Sequence, residues 1–577
     1  MEYQTRSRPR PQRSRAELRR RRKRRARQRM IRRVVLLLLC VAPIALTLLL
    51  VRFFQNHGTD PADYTYTVSA EVESGQEPES IIRVNPLEYF APYSLPETDP
   101  HTNLGFTWQA DIVGDLGPVR FNVPEAYTDL GITTFRGNNF RNQAAWGSAH
   151  IMEERLEISY MLGTGRMGEW SGIGWSGQPA IVQWDFELQQ QMNITPAKRD
   201  NPDLVEVIIG AMDGYIYFFD LADGVQTRPP IHLGEPIKGG VTVDPRGYPL
   251  LYVGQGVMFG ARFGFYIYSL LDGTELFFLD GHDPFAPRNW GAFDGNPVFD
   301  TENDRMILAG ENGVIYNILL NTAFDGTAGT VAVTPAVSRF VYTTNPHREV
   351  YGIESSVAAL GHYAFFADNS GIILCLDLQA MEPVWVFDAG DDTDASLVLD
   401  WEDAHRRLVL YTGTQVDLQG PGGLAVIRKL DASNGRVLWE HAYSARHVPE
   451  VNGGVMATPV LGQGDISDLV IFAVAKTLDT GGDGVLVAFE RESGEIVWEM
   501  VMPRYAWSSP VAVYTPDGTS YIIIADSGGV LFLIRGLTGE VVYQIELYGT
   551  IEGSPAVFGN QLVIGTRWQR IFGVEIL

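Results

Sequence analysis

Apolar and polar positions fall into three regimes along the chain. Val34 to Val51 is an 18-residue apolar run without a charge, and Phe53 and Phe54 extend it beyond Arg52. Together they approach the ~20 residues that a helix needs to cross a bilayer. Residues 56 to 103 hold no period of 2 or 3.6. They are rich in Pro, Glu, Asp, Ser and Thr, with prolines at 61, 78, 86, 92, 96 and 100, the pattern of an extended spacer. From about residue 156 onward, short alternating segments of strand length recur between Gly, Asp and Asn turns.

The third regime repeats. Each unit begins with small residues: Gly177-Gln178-Pro179, Gly239-Gly240-Val241, Gly295-Asn296-Pro297, Ser355-Ser356-Val357, Ala395-Ser396-Leu397, Ala457-Thr458-Pro459, Ser508-Ser509-Pro510 and Gly553-Ser554-Pro555. The mean spacing is about 54 residues. A glycine then opens an alternating run, as from Gly214 to Asp220, Gly371 to Asp377 and Gly484 to Glu490. A third element is Gly-x-x-x-aromatic, as at Gly435/Trp439, Gly494/Trp498, Gly539/Tyr543 and Gly273/Phe277; Met381 replaces the glycine before Trp385.

Three or four short strands per unit, joined by tight turns, make a small antiparallel sheet. Such a sheet cannot bury both faces alone, so its neighbours must stack on it. Small residues suit innermost strands that converge on an axis, and aromatics suit the outer strands, where the sheets splay. The pattern predicts an all-β fold, an eight-bladed β-propeller of four-stranded antiparallel blades over residues 156–577, preceded by one transmembrane helix. The last unit supplies only about three strands, so its outermost strand is expected upstream, at Leu156 to Leu162, closing the ring.

Charge divides the chain again. Residues 1–33 carry 16 Lys/Arg against Glu2 and Glu17, while the rest holds 29 basic and 67 acidic residues. The basic block before the apolar run places the N-terminus inside and the remainder outside. No small-x-small cleavage site follows, and Leu39 precedes Cys40, so the run reads as an uncleaved signal anchor. The expected organisation is a basic cytoplasmic tail (1–33), a transmembrane anchor (34–54), a stalk (55–103) that Tyr89, Phe90 and Tyr93 could dock in part, a lead-in (104–155) and the propeller (156–577). An ectodomain this acidic is a poor partner for nucleic acid. Cys40 and Cys375 are the only cysteines and fall on different sides of that division, so the exported part folds without a disulfide.

Leu430-Asp431-Ala432-Ser433-Asn434-Gly435-Arg436-Val437-Leu438-Trp439 resembles the tryptophan-docking repeat of the pyrroloquinoline-quinone (PQQ) propellers, and Phe489 to Trp498 matches as well. Thr134-Phe135-Arg136-Gly137-Asn138 resembles the lead-in found before the first blade of many relatives. The resemblance implies interblade packing for Trp385, Trp439 and Trp498. Its two branches are quinone-dependent dehydrogenases and non-catalytic scaffolds of the BamB kind. The alcohol dehydrogenases hold the quinone on an adjacent-cysteine disulfide, which two distant cysteines cannot supply, and no calcium or base motif carries over. The resemblance therefore points to the BamB-like branch, with no cofactor expected; PQQ with Ca²⁺ belongs to the alternative.

Candidate binding residues are Trp170 and Trp175, in a glycine-rich loop at the channel mouth, and residues flanking the innermost strands: Gln178, Lys238, Asp294, Asn296, Glu354, Asp394, Asn452, Trp507 and Glu552. Exposed tryptophans on a loop suit peptides or sugars. A ring of carboxylates, amides and one lysine suits a cation or polar ligand. Asp388, Asp391, Asp392 and Asp394 read as a solvated acidic loop, and no catalytic or metal-binding motif is present. The sequence thus predicts a membrane-anchored, extracytoplasmic scaffold for an envelope protein. The alternatives are a PQQ/Ca²⁺-dependent dehydrogenase and a module binding wall polymer or carbohydrate.

Overall fold

Along Ile372–Asp377, Ile372, Leu374 and Leu376 pack into one apolar cluster, and Ile373 and Cys375 into the next. This alternation is the period-2 pattern at work: each sheet turns one set of side chains to either neighbour. The described residues form eight such clusters, one between each pair of adjacent blades, that between blades 8 and 1 included. The structure, a computed structural model, describes residues 85–124, 128–260, 262–344, 350–449 and 451–577. The basic tail and the predicted anchor at 34–54 lie outside the described residues. Among those described, no helix is long and apolar enough to cross a membrane.

The fold is an eight-bladed propeller of antiparallel sheets. Blades 1 to 7 span residues 180–232, 241–280, 298–343, 358–388, 398–444, 460–502 and 511–546. Blade 8 takes three strands from 556–576 and its outermost strand from Leu156–Gly163, which pairs antiparallel with Arg570–Ile576, Leu156 facing Ile576. The closing strand is the one expected from the sequence.

The repeated motifs have distinct jobs. In the small-residue triplets, the second residue builds a belt around the axis. The Asn296 N–H donates to Ser356 Oγ (2.9 Å), Ser356 N–H to Ser396 Oγ (2.9 Å), and Ser396 N–H to Thr458 Oγ1 (3.1 Å). Thr458 N–H continues to Ser509 Oγ (3.0 Å), and Ser509 N–H to Ser554 Oγ (3.1 Å). The innermost strands of blades 3 to 7 thereby each satisfy a backbone donor with the next blade's hydroxyl.

The aromatic of Gly-x-x-x-aromatic sits at a register shift between the third and fourth strands, at Cys375↔Trp385, Lys429↔Trp439 and Ala488↔Trp498. Its indole N–H crosses to the next blade: Trp385 to Ala432 O (2.9 Å), Trp439 to Arg491 O (2.9 Å), Trp498 to Gly536 O (3.0 Å). The ring lies on that blade's turn glycine. A Cβ on Gly435 would stand 2.7 Å from Trp385, and one on Gly494 2.7 Å from Trp439. The motif's glycine is thus the seat for the preceding blade's tryptophan.

The chain before the ring wraps it. The segment expected as an extended spacer is described only from residue 85, and over 85–103 it lies on blades 4 and 5. A helical turn at Pro86–Tyr89 leads to Phe90, whose ring meets Tyr363 and Phe365, and the Tyr93 N–H donates to Ser433 O (2.8 Å). Thr107–Asp111 then adds a fifth strand to blade 3, against Ala336–Thr343.

Candidate functional site

Residues 128–146 seal one end of the axial channel. Gly131–Ile132 pairs with the innermost strand of blade 1, and Ala145–Trp146 with that of blade 8. Between them the fully buried Arg136 and Arg141 reach across the ring. The Arg136 guanidinium donates to Pro510 O (2.6 Å) and Pro459 O (2.9 Å). That of Arg141 donates to Val357 O (2.8 Å), Phe135 O (2.9 Å) and Asn296 O (2.7 Å). Their acceptors are carbonyls of the small-residue triplets of blades 3, 4, 6 and 7, with one from the plug itself. Burial draws both guanidinium pKa values down to about 9, so both stay charged at neutral pH.

Two predicted site residues belong to this plug. Gln178 accepts from Arg136 N–H (3.3 Å) and donates to Thr134 O (3.3 Å), and Asn296 donates to Val241 O (3.0 Å) and Thr242 Oγ1 (2.7 Å). Both amides hydrogen-bond within the fold and lie outside the lining of the cavity at the other end.

The other end opens into a cavity of about 510 Å³. It brings together Trp170, Trp175, Lys238, Glu354, Asp394, Asn452, Trp507 and Glu552 from the predicted set, with Asp294 just beneath, touching Lys238. The tryptophans are less exposed than expected: Trp170 is half-buried and Trp175 is buried, donating to Met456 O (3.3 Å). Sequence reasoning missed Asp392, Gln415, Asp417, Tyr505 and Arg567 on the same wall. Arg567 donates to Glu552 Oε2 (2.8 Å) and to Ser171 O (3.0 Å), its guanidinium 5.6 Å over the Trp170 ring.

The acidic loop of blade 5 is buried rather than solvated. Asp391 is a staple: it accepts backbone N–H groups from Asp417 (3.1 Å), Leu418 (2.7 Å) and Gln419 (3.1 Å), tying its loop to the next. Its neighbours Asp392 and Asp394 face the cavity with 7% and 6% exposure.

Charge here is unbalanced. The Lys238 ammonium touches Asp294, lies 2.9 Å from Glu354 Oε2 and 3.9 Å from Glu311 Oε1, and sits 5.7 Å over the Trp175 ring. Asp294, Glu311 and Glu354 are spaced as a metal-binding trio would be, but the lysine occupies their midst. Burial pushes Asp294 up, partly offset by Lys238, and pushes Glu311 well above the carboxylate range, with Glu354 adding to it. Burial also raises Glu354, but the pull of Lys238 and hydrogen bonds from Lys238 and Asn369 outweigh it and hold its pKa below the usual value. Burial, then repulsion from Asp394 and Glu354, raises Asp392 well above its usual value. Asp394 is pushed up to about 8 by burial and by Glu354. Burial and mutual repulsion thus favour the protonated form at Asp294, Glu311, Asp392 and Asp394, with Lys238 the one ammonium among them and Arg288 acting on Glu354.

Exposed apolar side chains surround the mouth. Phe259 packs beside Gly168 of the Trp170 hairpin; Leu418 follows the lining residue Asp417; the Val448 N–H is held by Asn452 Oδ1 (3.0 Å). Leu478 lies two residues beyond Lys476, whose ammonium sits over Tyr505 (4.5 Å) and Trp507 (5.7 Å). Trp568 follows Arg567, and Tyr548 precedes Gly549, which abuts the Trp568 ring. All six are more than two-fifths exposed, Trp568 at 67%.

Residues 482–576, from the end of blade 6 through blade 8, match the family model described as outer membrane protein assembly factor BamB. No curated protein matches the chain. Among solved structures, BamB from Moraxella catarrhalis is 16% identical, covering 73% of this chain and 98% of its own, with a TM-score of 0.44. Quinohemoprotein alcohol dehydrogenase from Comamonas testosteroni is 11% identical, covering 77% and 80%, with a TM-score of 0.52. Quinohemoprotein alcohol dehydrogenase ADHIIG from Pseudomonas putida HK5 is 10% identical over the same shares, with a TM-score of 0.51. By its fold the chain is an eight-bladed β-propeller, and over residues 482–576 it is similar to the BamB family model.

Proposed function

We propose that the ring is a non-catalytic scaffold that docks a protein partner on its open face, held at the outer side of a membrane by residues 34–54. The observation that carries this reading is the asymmetry of the two ends: one is plugged by the lead-in, while the other presents a rim of exposed apolar side chains around an acidic cavity. Several exposed large apolar side chains gathered at one end of a ring mark a surface suited to docking a protein.

The quinone-dependent alternative fits these residues poorly. PQQ is a tricarboxylate, and it would meet Glu354, Asp392, Asp394, Asp417 and Glu552 in the cavity. The lining cations Lys238 and Arg567 are already paired with carboxylates. The place a calcium ion would take among Asp294, Glu311 and Glu354 is filled by the lysine ammonium.

Site-specific photo-cross-linkers on the full chain in its native membrane test the scaffold reading. Positions 259 and 568 on the open face are expected to give one discrete protein adduct, and position 541 on an outermost strand none. Equal labelling from all three, or dye-linked alcohol oxidation on adding PQQ and Ca²⁺, would overturn it.

A further inference from the structure

Five carboxyls around one ammonium leave the cavity short of positive charge, and two of them are built to face a ligand. Asp392 Oδ1 and Asp394 Oδ1 are buried and accept no hydrogen bond from any described group outside their own pair, although Gln415 Nε2 donates to Asp394 Oδ2 (2.5 Å). An unpartnered buried carboxylate costs stability unless a donor completes it. The walls suit an organic cation. Trp175, Trp170 and Trp507 already carry Lys238, Arg567 and Lys476 over their rings, so this end of the channel uses aromatic faces to seat cations.

We propose that the cavity receives a Lys or Arg side chain of the docked protein, its cation between Glu354 and the Asp392–Asp394 pair and its alkyl stem against Trp170 and Trp507. This rests on the scaffold reading and names the partner's anchoring group. A cavity of about 510 Å³ is far larger than a bare ion needs. The apolar rim matches the polypeptide flanking such a side chain, which a free amine lacks. The entering cation displaces the proton held by the carboxyl pair, and that proton leaves to solvent. Asp394 is faced by Asp392 on its own loop, Glu354 of blade 4, Lys238 of blade 2 and Gln415 of blade 5, and Asp392 also by Asp417. The excess of acids over the single lysine sets the direction: binding strengthens as pH rises towards about 8 and then levels.

The test is calorimetric titration of the full chain in detergent micelles with an acetylated, amidated Gly-Leu-Lys-Leu-Gly peptide. Its norleucine analogue, n-butylamine and CaCl₂ serve as comparisons. The lysine peptide is expected to bind at least about tenfold more tightly than the norleucine peptide at pH 8.5. It should weaken as pH falls to 6.5, and lose about tenfold in an Asp392→Asn/Asp394→Asn variant, which also loses the pH dependence. Equal binding of the norleucine peptide, or of n-butylamine, would overturn the side-chain assignment. Saturable Ca²⁺ binding abolished by the same variant would replace it with a metal site. Absence of peptide binding alongside a discrete open-face cross-link would sink this inference and leave the scaffold standing.

Discussion

Tyr160, from the strand that precedes the first blade, lies on Gly224 of blade 1 as Trp385 lies on Gly435 of blade 5: a Cβ on Gly224 would stand 2.6 Å from its ring. Tyr160 also sits at the register shift of blade 8, opposite Gly573. The closing strand therefore supplies blade 8 with both a fourth strand and its docking aromatic, and the seam between blades 8 and 1 is built like the others.

Gly224 has φ +70°, a left-handed conformation, so Gly224→Ala meets both strain and the Tyr160 ring. A loss of about 2 kcal/mol is expected in urea unfolding. Adding Tyr160→Ala should cost less than the two single changes summed, because it removes the clash. Strict additivity would mean that the contact does not hold the seam.

Arg136→Met would strand the carbonyls of Pro459 and Pro510 inside the plug. A destabilisation of about 3 kcal/mol is expected. Arg136→Lys should recover little, because one ammonium cannot span two carbonyls that a planar fork reaches. Chemical denaturation of the three proteins decides it; a lysine variant as stable as the parent would refute the bridging role.

Lys238→Met leaves Asp294 and Glu354 facing each other without their cation. Water reaches the lysine from the cavity, so the loss falls at the low end for a broken buried pair, about 2–3 kcal/mol at pH 7. Combining it with Asp294→Asn and Glu354→Gln should restore most of that. Melting temperatures of the single and triple variants compare the two directly.

The raised carboxyls fix the sign of one pH effect. Asp394 titrates near 4 in the unfolded chain and at about 8 in the fold, and Asp392 is raised as well, so the native state binds more protons across that window. Their contribution is full at acid pH and is lost as pH rises through about 8. The Asp392→Asn/Asp394→Asn variant is therefore expected to gain at least about 2 °C in Tm over the parent at pH 8 relative to pH 5. A gain independent of pH would show that these groups do not titrate in the window.

The ring was legible because its signals are local and repeated. The small triplets, the alternating runs and the Gly-x-x-x-Trp motif each reflect a contact made once per blade, and the missing fourth strand located Leu156–Gly163. The cavity was partly legible for the same reason: residues just before each innermost strand, such as Lys238, Glu354, Asn452, Trp507 and Glu552, must surround the axis. Gln178 and Asn296 lie one step further along the strand, where the channel is already plugged, and so fall outside the cavity lining. Four acids in seven residues look like a solvated surface, and it takes the packing of the Asp417 loop against them to bury three, Asp391, Asp392 and Asp394. Gln415, Asp417 and Arg567 sit on loops after the second strand, whose lengths vary from blade to blade and carry no period.

His150 and Asn560 exchange hydrogen bonds across 410 residues of sequence, next to the strands that shut the ring. Such separation gives the fold a high contact order and a slow final step. A ribosome must deliver the chain as far as Arg570–Ile576 before Leu156–Gly163 finds its partner, so the growing chain carries an open-ended stack with an unpaired edge at each side. Those edges are where a nascent propeller is most open to mispairing with a second copy, and a chaperone that covered Leu156–Gly163 until then would protect it.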